Sequence, residues 1–382
     1  MKPKILAFSS TALTAAVLVL AFADPTNIGL RFFAKFAILL VVLAVTTSLT
    51  LSYFFGPNAT RKFFSNLVLI GISVSFALLA AELGVRAVFQ DVTTTSDNSS
   101  YFARRWNELN PPELNELGFR DRTVNSVKPP GTYRIAIIGD SLTYGQGLLT
   151  EERFSNLLSN ELNKSTGTYE VLNFGRAGAE TDDHINILRD NILDFSPDFV
   201  LIQWFVNDVE ISETGRAVSL RLIPSSFIHA WLHSNSALYY LVETQWASLQ
   251  STLGLTENYV NNMTRRFKNP DSEESLSASA ALDRLVSLIR DNDIQTGIVL
   301  FPIMADVRGD ADEYPLGFLL DRVLAFCSQE SIPCLDLRPI YAKALSPSEM
   351  WVNRLDRHPS SAANKLASEA ILAHFAQFWG QD

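Results

Sequence analysis

The chain has 382 residues and a formal net charge of −10 at pH 7, from 31 Lys and Arg against 41 Asp and Glu. This acidic excess opposes attraction to phosphate backbones, so no nucleic-acid partner is expected. Two cysteines exclude a disulfide scaffold, and no Cys and His clusters have structural-zinc spacing, so neither a metal nor another cofactor is expected. Apolar runs crowd about the first ninety residues, which excludes a uniformly soluble globule.

Three apolar segments, at about 5–23, 36–55 and 64–85, open the chain. Each has roughly the twenty residues that a helix needs to cross a hydrocarbon core. The first is longer than the apolar region of a signal peptide and lacks a clear cleavage site, although a cleaved signal is the alternative. We therefore predict a membrane domain over 1–89, with about three transmembrane helices and the lipid bilayer as a partner.

The basic residues near these segments predict the orientation. Four fall on the side of the N-terminus and three on the other side: Lys2, Lys4, Arg61 and Lys62 against Arg31, Lys35 and Arg86. The positive-inside rule then predicts a cytoplasmic N-terminus and an extracytoplasmic location, periplasmic or cell-surface, for everything after Val88. Glu82 and Arg86 lie four residues apart, so they are expected to pair or to reach the membrane interface rather than to relay protons.

Residues 90–131 are polar and proline-rich without apolar periodicity, which predicts a linker. Beyond it, short β-branched runs alternate with amphipathic stretches. The pattern predicts strands at 134–138, 170–173, 199–204, 297–301 and 334–337, and helices at 151–163, 182–194, 280–292, 317–329 and 361–378. This alternation indicates an α/β domain over 132–382, with a parallel sheet covered by helices on both faces. In such sheets, ligands bind beyond the carboxyl ends of the strands.

Residues 209–277, between the third and fourth predicted strands, are too many for a simple crossover. They contain an apolar aromatic segment at 227–249 and then a polar run. We interpret the stretch as a helical insertion that forms a lid or pocket wall, or that packs against the membrane or a partner.

A serine follows the first predicted strand in Gly139-Asp140-Ser141-Leu142. At the carboxyl edge of a sheet its hydroxyl and the neighbouring N–H groups can face one point, which suits a nucleophile and an oxyanion hole. Taken alone, the tetrapeptide fits a turn with a helix-capping serine better. Asp140 is expected to shape this turn through local hydrogen bonds rather than to take part in a triad.

Four segments resemble, in order, the sequence blocks of the SGNH/GDSL hydrolase family. They are Gly139-Asp140-Ser141-Leu142, Asn173-Phe174-Gly175-Arg176-Ala177-Gly178, Phe205-Val206-Asn207-Asp208 and Asp356-Arg357-His358-Pro359. The resemblance implies the SGNH fold, a flavodoxin-like five-stranded parallel sheet. It also implies a catalytic triad of Ser141, His358 and Asp356, and an oxyanion hole formed by the N–H of Ser141, the N–H of Gly178 and the side-chain amide of Asn207.

Two positions depart from the family pattern. Phe205 stands where a glycine is common, and Leu355 stands where an aspartate commonly precedes the histidine by three residues. Asp356 lies only two residues before His358, so its role as the orienting carboxylate is the open point. If Asp356 pointed to solvent, a Ser–His dyad would remain.

The resemblance implies a membrane-anchored serine ester hydrolase that acts through an acyl-enzyme on a surface glycan, a lipid or a small ester. Two alternatives stay open. One is an O-acyltransferase of envelope polysaccharide, which would need a membrane partner to supply acyl groups. The other is a catalytically silent SGNH domain that binds a glycan or holds an envelope complex. The same triad serves hydrolysis and transfer, so the residues do not separate the first two.

The remaining histidines receive structural interpretations. His229 and His233 would share a helix face, but no acidic residue or third histidine has a matching spacing, so a metal site is not expected. His184 and His374 are expected at the surface or in packing.

Cys327 lies near the end of a predicted helix, and Cys334 lies at the start of the following predicted strand. In an oxidising compartment they can pair. Buried free thiols are the equal alternative, since adjacent layers often hold such residues too far apart.

Overall fold

The structure, a computed structural model, describes residues 59–95, 97–164, 168–210, 221–304, 307, 314–344, 346 and 349–380. Its strands, numbered in chain order, are β1 (Tyr133–Gly139), β2 (Tyr169–Gly175), β3 (Phe199–Trp204), β4 (Gln295–Leu300), β5 (Cys334–Asp336), β6 (Trp351–Asn353) and β7 (Asp356–Pro359). Its α-helices are α1 (Ala59–Val88), α2 (Tyr101–Leu109), α3 (Ser141–Tyr144), α4 (Phe154–Leu162), α5 (Thr181–Ile187), α6 (Ser226–Asn235), α7 (Ala237–Thr252), α8 (Tyr259–Phe267), α9 (Glu273–Arg290), α10 (Gly317–Glu330), α11 (Arg338–Ala344) and α12 (Ser361–Phe375). The chain forms two compact units, one containing α1 and residues 221–245 and the other containing the sheet.

The sheet unit is built on five parallel strands in the order β2-β1-β3-β4-β5. Every residue of β3 is buried, as expected for a central strand with helices on both faces. Ile135 pairs with Val171 on one side and Phe199 on the other, so β1 and β3 form the centre of the sheet. The predicted α/β fold with a five-stranded parallel sheet is therefore confirmed. β6 and β7 form a separate antiparallel hairpin.

Helix α9 shows how the covering helices are specified. Ser272 caps it by accepting a 3.2 Å hydrogen bond from the N–H of Ser275, and acidic residues occupy its first turn. Leu282, Leu285 and Ile289 bury one face at helical spacing, and each such side chain contributes about 1.5–3 kcal/mol. The helix starts earlier than the predicted 280–292, because the polar run at 271–274 is its cap and first turn rather than a loop.

The helix predicted at 182–194 is interrupted. Helix α5 covers Thr181–Ile187, a π-helical turn follows at Leu188–Ile192, and a 3₁₀ turn closes at Leu193–Phe195. Ile187, Leu188 and Ile192 are all buried, so the apolar pattern that predicted one helix is satisfied by a widened turn.

Cys327, near the end of α10, and Cys334, at the start of β5, are joined by a disulfide. Their Cα atoms lie 6.2 Å apart, within the usual range for a disulfide. Of the two alternatives left open by the sequence, the structure has the paired one.

Within the described residues, one helix of the other compact unit is long and apolar enough to span a membrane. This segment of α1, Ser65–Val88, has 24 residues and a mean hydropathy of 2.2, and only 6% of its apolar window is buried. Leu69, Ile70 and Phe76 are each more than half exposed. The segment corresponds to the third predicted span, while the first two lie outside the described residues.

Glu82 and Arg86 pair near the end of α1, as the sequence predicts, with 2.6 Å between Nε of Arg86 and Oε1 of Glu82. The same carboxylate also caps α7. It accepts hydrogen bonds from the hydroxyl of Ser236 at 2.8 Å and from the N–H groups of Ala237 at 3.0 Å and Leu238 at 2.9 Å. Glu82 is 1% exposed, so the charge is held by donors rather than by water. This capping role was not expected from the sequence.

The described part of the expected insertion, from residue 221, is helical and comprises α6, α7 and α8. The compact-unit boundary falls inside α7, with residues 221–245 on one side and Trp246 onward on the other. Residues 211–220 lie outside the described residues.

Candidate active site

The candidate nucleophile, Ser141, is the first residue of the short helix α3, directly beyond the carboxyl end of β1. Asp140 caps this helix, and its Oδ1 accepts a 2.9 Å hydrogen bond from the N–H of Leu142. The backbone N–H of Asp140 and the hydroxyl of Thr143 donate to Oε1 of Gln203 on β3, at 3.1 and 2.8 Å. The turn is thus held from below by the neighbouring strand, and Asp140 has the local role expected for it.

The end of β2 braces the same turn from the other side. The side-chain amide of Asn173 donates to the carbonyl of Thr143 at 2.7 Å and to the hydroxyl of Ser155 at 2.7 Å. A Cβ on Gly175 would lie 2.4 Å from the backbone nitrogen of Tyr144, so only glycine allows this approach. The glycine of the second block therefore has a packing role beside the serine turn.

The β6–β7 hairpin brings His358 to Ser141. Nε2 of His358 lies 2.8 Å from Oγ of Ser141, and Nδ1 of His358 lies 2.5 Å from Oδ1 of Asp356. Asp356 and His358 are both in β7, where alternate residues share a face, so a separation of two residues is the spacing that points both side chains the same way. The altered spacing thus has a structural reason.

Asp356 is 0% exposed, so the alternative in which it points to solvent is wrong. One of its oxygens contacts the imidazole, and the other has no hydrogen-bond partner in the described part of the chain. The carboxylate charge therefore acts mainly on His358.

The pKa of His358 reflects this arrangement. Burial opposes the imidazolium, but the charge and hydrogen bond of Asp356 outweigh it and raise the pKa of His358 above its usual value. Burial also raises the pKa of Asp140 to about 6, against the hydrogen bond from Leu142 and the charge of His358. The imidazole is thus a base whose Nε2 lies 2.8 Å from the serine hydroxyl.

Two backbone N–H groups are available to a developing oxyanion. Gly178 has φ +77°, a conformation that favours glycine, and a Cβ there would meet nothing within 4 Å. Within the described ranges, neither the N–H of Gly178 nor that of Ser141 has a protein acceptor. Unpaired amides that follow neighbouring parallel strands can serve as oxyanion donors.

Asn207, the third expected donor, lies in a 3₁₀ turn after β3. Its amide nitrogen donates to the carbonyl of Ala179 at 3.2 Å, which leaves the second hydrogen of that nitrogen for another acceptor. Phe205, the residue at the usual glycine position, has φ −134°, an extended conformation open to any residue. That departure therefore does not strain the turn that carries Asn207.

A buried polar group lies beneath this turn. Oδ2 of Asp208 accepts from the N–H of Phe205 at 2.8 Å, and Oδ1 accepts from the hydroxyl of Thr181 at 3.2 Å. Nδ1 of His184 lies 3.2 Å from Oδ1 of Asp208. Burial lowers the pKa of His184 to about 4, so this imidazole is neutral, and burial also raises the pKa of Asp208. His184 has the packing role expected of it.

The sequence did not reveal the residues that support the site from the segment interpreted as a linker. The guanidinium of Arg120 donates to the carbonyls of Gly145 at 2.8 Å and Leu148 at 2.7 Å, just after α3. The amide of Gln146 donates to the carbonyl of Thr95 at 2.6 Å. Arg120 and Thr95 are single residues of a polar stretch, a sequence signal too weak to identify them.

A cavity of about 750 Å³ lies among the described residues, away from this site. Its walls come from 115–117, 121–126, 172–174, and the turn around Asp190 and Phe195. None of the candidate triad residues lines this cavity, so it is separate from the serine.

The surroundings of His229 and His233 differ from the sequence-based expectation that no acidic residue lies near them. His229 and His233 do have an acidic neighbour, since Glu243 lies 2.7 Å from Nδ1 of His233 and 3.1 Å from Nδ1 of His229. The sequence does not reveal this neighbour, because the histidines are on α6 and Glu243 is on α7, so no fixed helical spacing joins them.

A parallel sheet with a serine, a histidine and an aspartate in hydrogen-bonding series beyond its carboxyl edge defines a serine hydrolase of the SGNH type. The family model described as the GDSL-like Lipase/Acylhydrolase family matches residues 137–366, more than half of the chain. The chain belongs to this family, and it is a GDSL-type serine hydrolase that acts on ester bonds. The resemblance seen in the four sequence blocks is therefore confirmed.

Solved structures of the same general kind resemble the chain at low identity. A catalytic mutant of an acetylxylan esterase from Geobacillus stearothermophilus is 17% identical with a TM-score of 0.41, over 67% of this chain and 98% of that chain. A putative acylhydrolase from Bacteroides fragilis is 15% identical with a TM-score of 0.37, over 72% and 96% of the two chains. A lipolytic protein of the G-D-S-L family from Veillonella parvula is 12% identical with a TM-score of 0.38, over 64% and 100%. No curated protein matches the chain by sequence.

Proposed function

We propose that the protein is a membrane-anchored esterase that removes acyl groups from an extracytoplasmic ester through an acyl-enzyme on Ser141. The observation that carries the proposal is the continuous series from Oγ of Ser141 to Nε2 of His358, 2.8 Å, and from Nδ1 of His358 to Asp356, 2.5 Å. The unpaired N–H groups of Ser141 and Gly178 support it.

In the proposed mechanism, Oγ of Ser141 attacks the ester carbonyl carbon while its proton passes to Nε2 of His358. Asp356 stabilises the imidazolium. The carbonyl oxygen becomes an oxyanion that accepts hydrogen bonds from the N–H of Ser141, the N–H of Gly178 and the amide of Asn207. As the intermediate collapses, the C–O bond to the alcohol breaks and His358 returns the proton to the leaving oxygen.

Water then repeats the sequence on the acyl-enzyme. His358 takes a proton from the water as its oxygen attacks, and it later protonates Oγ of Ser141 as the acid leaves. A sugar hydroxyl in place of that water would give the transferase reaction, which uses the same residues.

The membrane and compartment parts of the proposal rest on two other features. The exposed apolar segment Ser65–Val88 is long enough to cross a bilayer. The Cys327–Cys334 disulfide fits an oxidising compartment, as expected if the catalytic domain is extracytoplasmic. The substrate class we propose is an acylated surface glycan or lipid, because such esters lie within reach of a membrane-anchored domain.

The experiment uses the full-length protein in detergent. Wild type is assayed for hydrolysis of short-chain aryl esters and for labelling by a fluorophosphonate, beside Ser141→Ala. We expect labelling to disappear and kcat to fall by about 10⁴–10⁶-fold in the variant. The matched control is Ser287→Ala, an exposed serine on α9, which should leave both readouts unchanged.

A folded wild type that neither hydrolyses esters nor reacts with the fluorophosphonate would contradict the proposal and favour a silent binding domain. Product analysis divides the remaining outcomes. Free acid alone indicates the esterase, whereas acylation of an added glycan indicates a transferase.

The orientation is tested separately, in intact cells. A reporter that is active only outside the cytoplasm, fused after Asp382, should be active if the catalytic domain is extracytoplasmic. An inactive fusion, with a cytoplasmic reporter active at the same position, would overturn the proposed location.

A further inference from the structure

Helices α6 and α7 form a tight pair, because only Ser236 separates the end of the first from the start of the second. The pair presents two histidines from α6, His229 and His233, and one carboxylate from α7, Glu243. Among the described residues, these three offer ligand atoms that all lie within 4.8 Å of one another. We name them the His–Glu cluster.

We propose that the His–Glu cluster binds a divalent transition-metal ion, Zn²⁺ by its ligand chemistry, and that the ion ties α6 to α7. The two histidines are four residues apart on one helix, so their rings share a face, with ring centroids 5.5 Å apart. Each directs Nδ1 at a different oxygen of Glu243, at 3.1 Å from His229 and 2.7 Å from His233. The three side chains therefore converge on one point from two helices.

The distances suit an ion of this size. Zn²⁺ binds imidazole nitrogen and carboxylate oxygen at about 2.0–2.2 Å, so tetrahedral ligands lie about 3.3 Å apart. Relative to that separation, the two nitrogen–oxygen contacts are shorter by about 0.2–0.6 Å, and the ligand atoms that lie farthest apart, within 4.8 Å, are wider by up to about 1.5 Å. Rotation of the side chains can supply such a change without moving the helices.

The donor set selects among cations. Two imidazoles and one carboxylate suit zinc and its neighbours in the transition series, whereas calcium and magnesium require mostly oxygen ligands. Three protein ligands leave one position of a tetrahedron for water. The hydroxyl of Tyr239, 3.1 Å from Nδ1 of His229, supplies a hydrogen-bonding neighbour for that water.

The cluster also meets the conditions of burial and access. The side chains of His229, His233 and Glu243 are 16%, 12% and 17% exposed. They are shielded enough to strengthen the attraction between a cation and the carboxylate, yet each remains open to an ion arriving from solvent.

The test uses Co²⁺ as a spectroscopic probe on the full-length protein in detergent, stripped of metal by a chelator. Wild type should bind one Co²⁺ per chain with the intense visible absorption of tetrahedral coordination. Zn²⁺ should displace the ion and abolish the absorption, while Mg²⁺ and Ca²⁺ should not. Wild type should also retain zinc after desalting.

Variants locate the ion. His233→Ala and Glu243→Gln should each weaken Co²⁺ binding by at least about 100-fold, and Tyr239→Phe by about tenfold, since it removes only an outer partner. Glu243→Gln keeps a hydrogen-bonding side chain, so folding is preserved and is checked by circular dichroism. The matched control, His374→Gln, should bind as wild type does.

Two results overturn the proposal. One is a folded wild type without tetrahedral Co²⁺ absorption at saturating metal. The other is absorption of full strength in both His233→Ala and Glu243→Gln, which would place the ion elsewhere. Ester hydrolysis is measured in parallel and should change by less than about twofold in Glu243→Gln, so failure of this site is distinguishable from failure of the catalytic one.

Discussion

Each compact unit contains a histidine–carboxylate pair, and the two pairs are built from nearly the same contact. His358 and Asp356 lie 2.5 Å apart, and His233 and Glu243 lie 2.7 Å apart. They differ in the third group. The far nitrogen of His358 faces a serine hydroxyl, whereas the second oxygen of Glu243 faces another imidazole. A histidine–carboxylate pair by itself therefore does not show whether it acts as a catalytic base or as metal ligands. The group that contacts the pair distinguishes the two roles.

Burial adds a second difference. Asp356 is fully buried. In the described chain, Oδ1 of Asp356 contacts two groups, the imidazole and the backbone N–H of His358. Glu243 is 17% exposed and divides its two oxygens between two rings. A carboxylate that contacts one imidazole raises the basicity of that imidazole. A carboxylate that contacts two imidazoles instead holds both rings close to its own oxygens.

Removing the histidine from each pair gives the largest predicted contrast. His358→Ala should reduce kcat by about 10⁴–10⁶-fold, because Nε2 of His358 is the base that contacts Oγ of Ser141 among the described residues. His233→Ala should leave kcat within about twofold. Steady-state hydrolysis of an aryl ester measures both, with His374→Gln as the control. Comparable losses in the two variants would show that the pairs are not functionally distinct.

Neutralising the catalytic carboxylate sharpens the contrast further. Asp356→Asn should lower kcat by about 10³–10⁴-fold. The active imidazole is neutral, so activity rises as pH passes through the raised pKa of His358, above the ordinary value of about 6.5. Without the Asp356 charge, burial dominates and the rising limb should move to lower pH. A pH profile of kcat/KM that keeps its position in the variant would argue against Asp356 as the group that acts on His358.

The third expected oxyanion donor gives a smaller effect. Asn207→Ala should lower kcat by about 10²–10³-fold with little change in KM, because the donor is needed only as charge develops. Its existing bond to the carbonyl of Ala179 is weak at 3.2 Å, so folding should be retained. The check is a kinetic comparison with Asn261→Ala, an exposed asparagine on α8. A rise in KM alone would assign Asn207 to ground-state binding.

Glu82, another buried carboxylate, extends the comparison because it contacts donors other than histidine. Glu82→Gln should destabilise the unit containing α1 by about 1–3 kcal/mol, since an amide cannot accept from all the donors that surround this group. Thermal unfolding in detergent measures the change. Glu108→Gln, at an exposed glutamate, is the control and should have no measurable effect.

The sheet was predictable because its signals are local, whereas the candidate triad was predictable through the family resemblance. Buried strands are apolar runs, and Ser141, Gly178 and Asn207 follow three of them directly. The contact between His358 and Ser141 was predictable only through the resemblance. The β6–β7 hairpin that positions His358 has no clear hydrophobic periodicity in the sequence.

The missed features depend on contacts between distant segments. Glu243 joins two histidines across a helix break, and Arg120 holds carbonyls 25 and 28 residues further along. Glu82 meets the start of α7, and no periodicity relates two helices so far apart in sequence. Polar residues of this kind look like ordinary surface residues until the fold shows which backbone groups they satisfy.

The capping of α7 by Glu82 also has a consequence for biosynthesis. Glu82 leaves the ribosome 154 residues before Ser236. Ser236 is the next residue after Arg86 in the chain that donates a hydrogen bond to the Glu82 carboxylate. At about 5–20 residues per second, synthesis of the intervening chain takes about 8–30 seconds. During that interval Arg86 is its nearest stabilising partner, because the two are separated by one helical turn. A nascent chain with Arg86 intact can therefore hold this charge next to an apolar helix until the capped helix emerges.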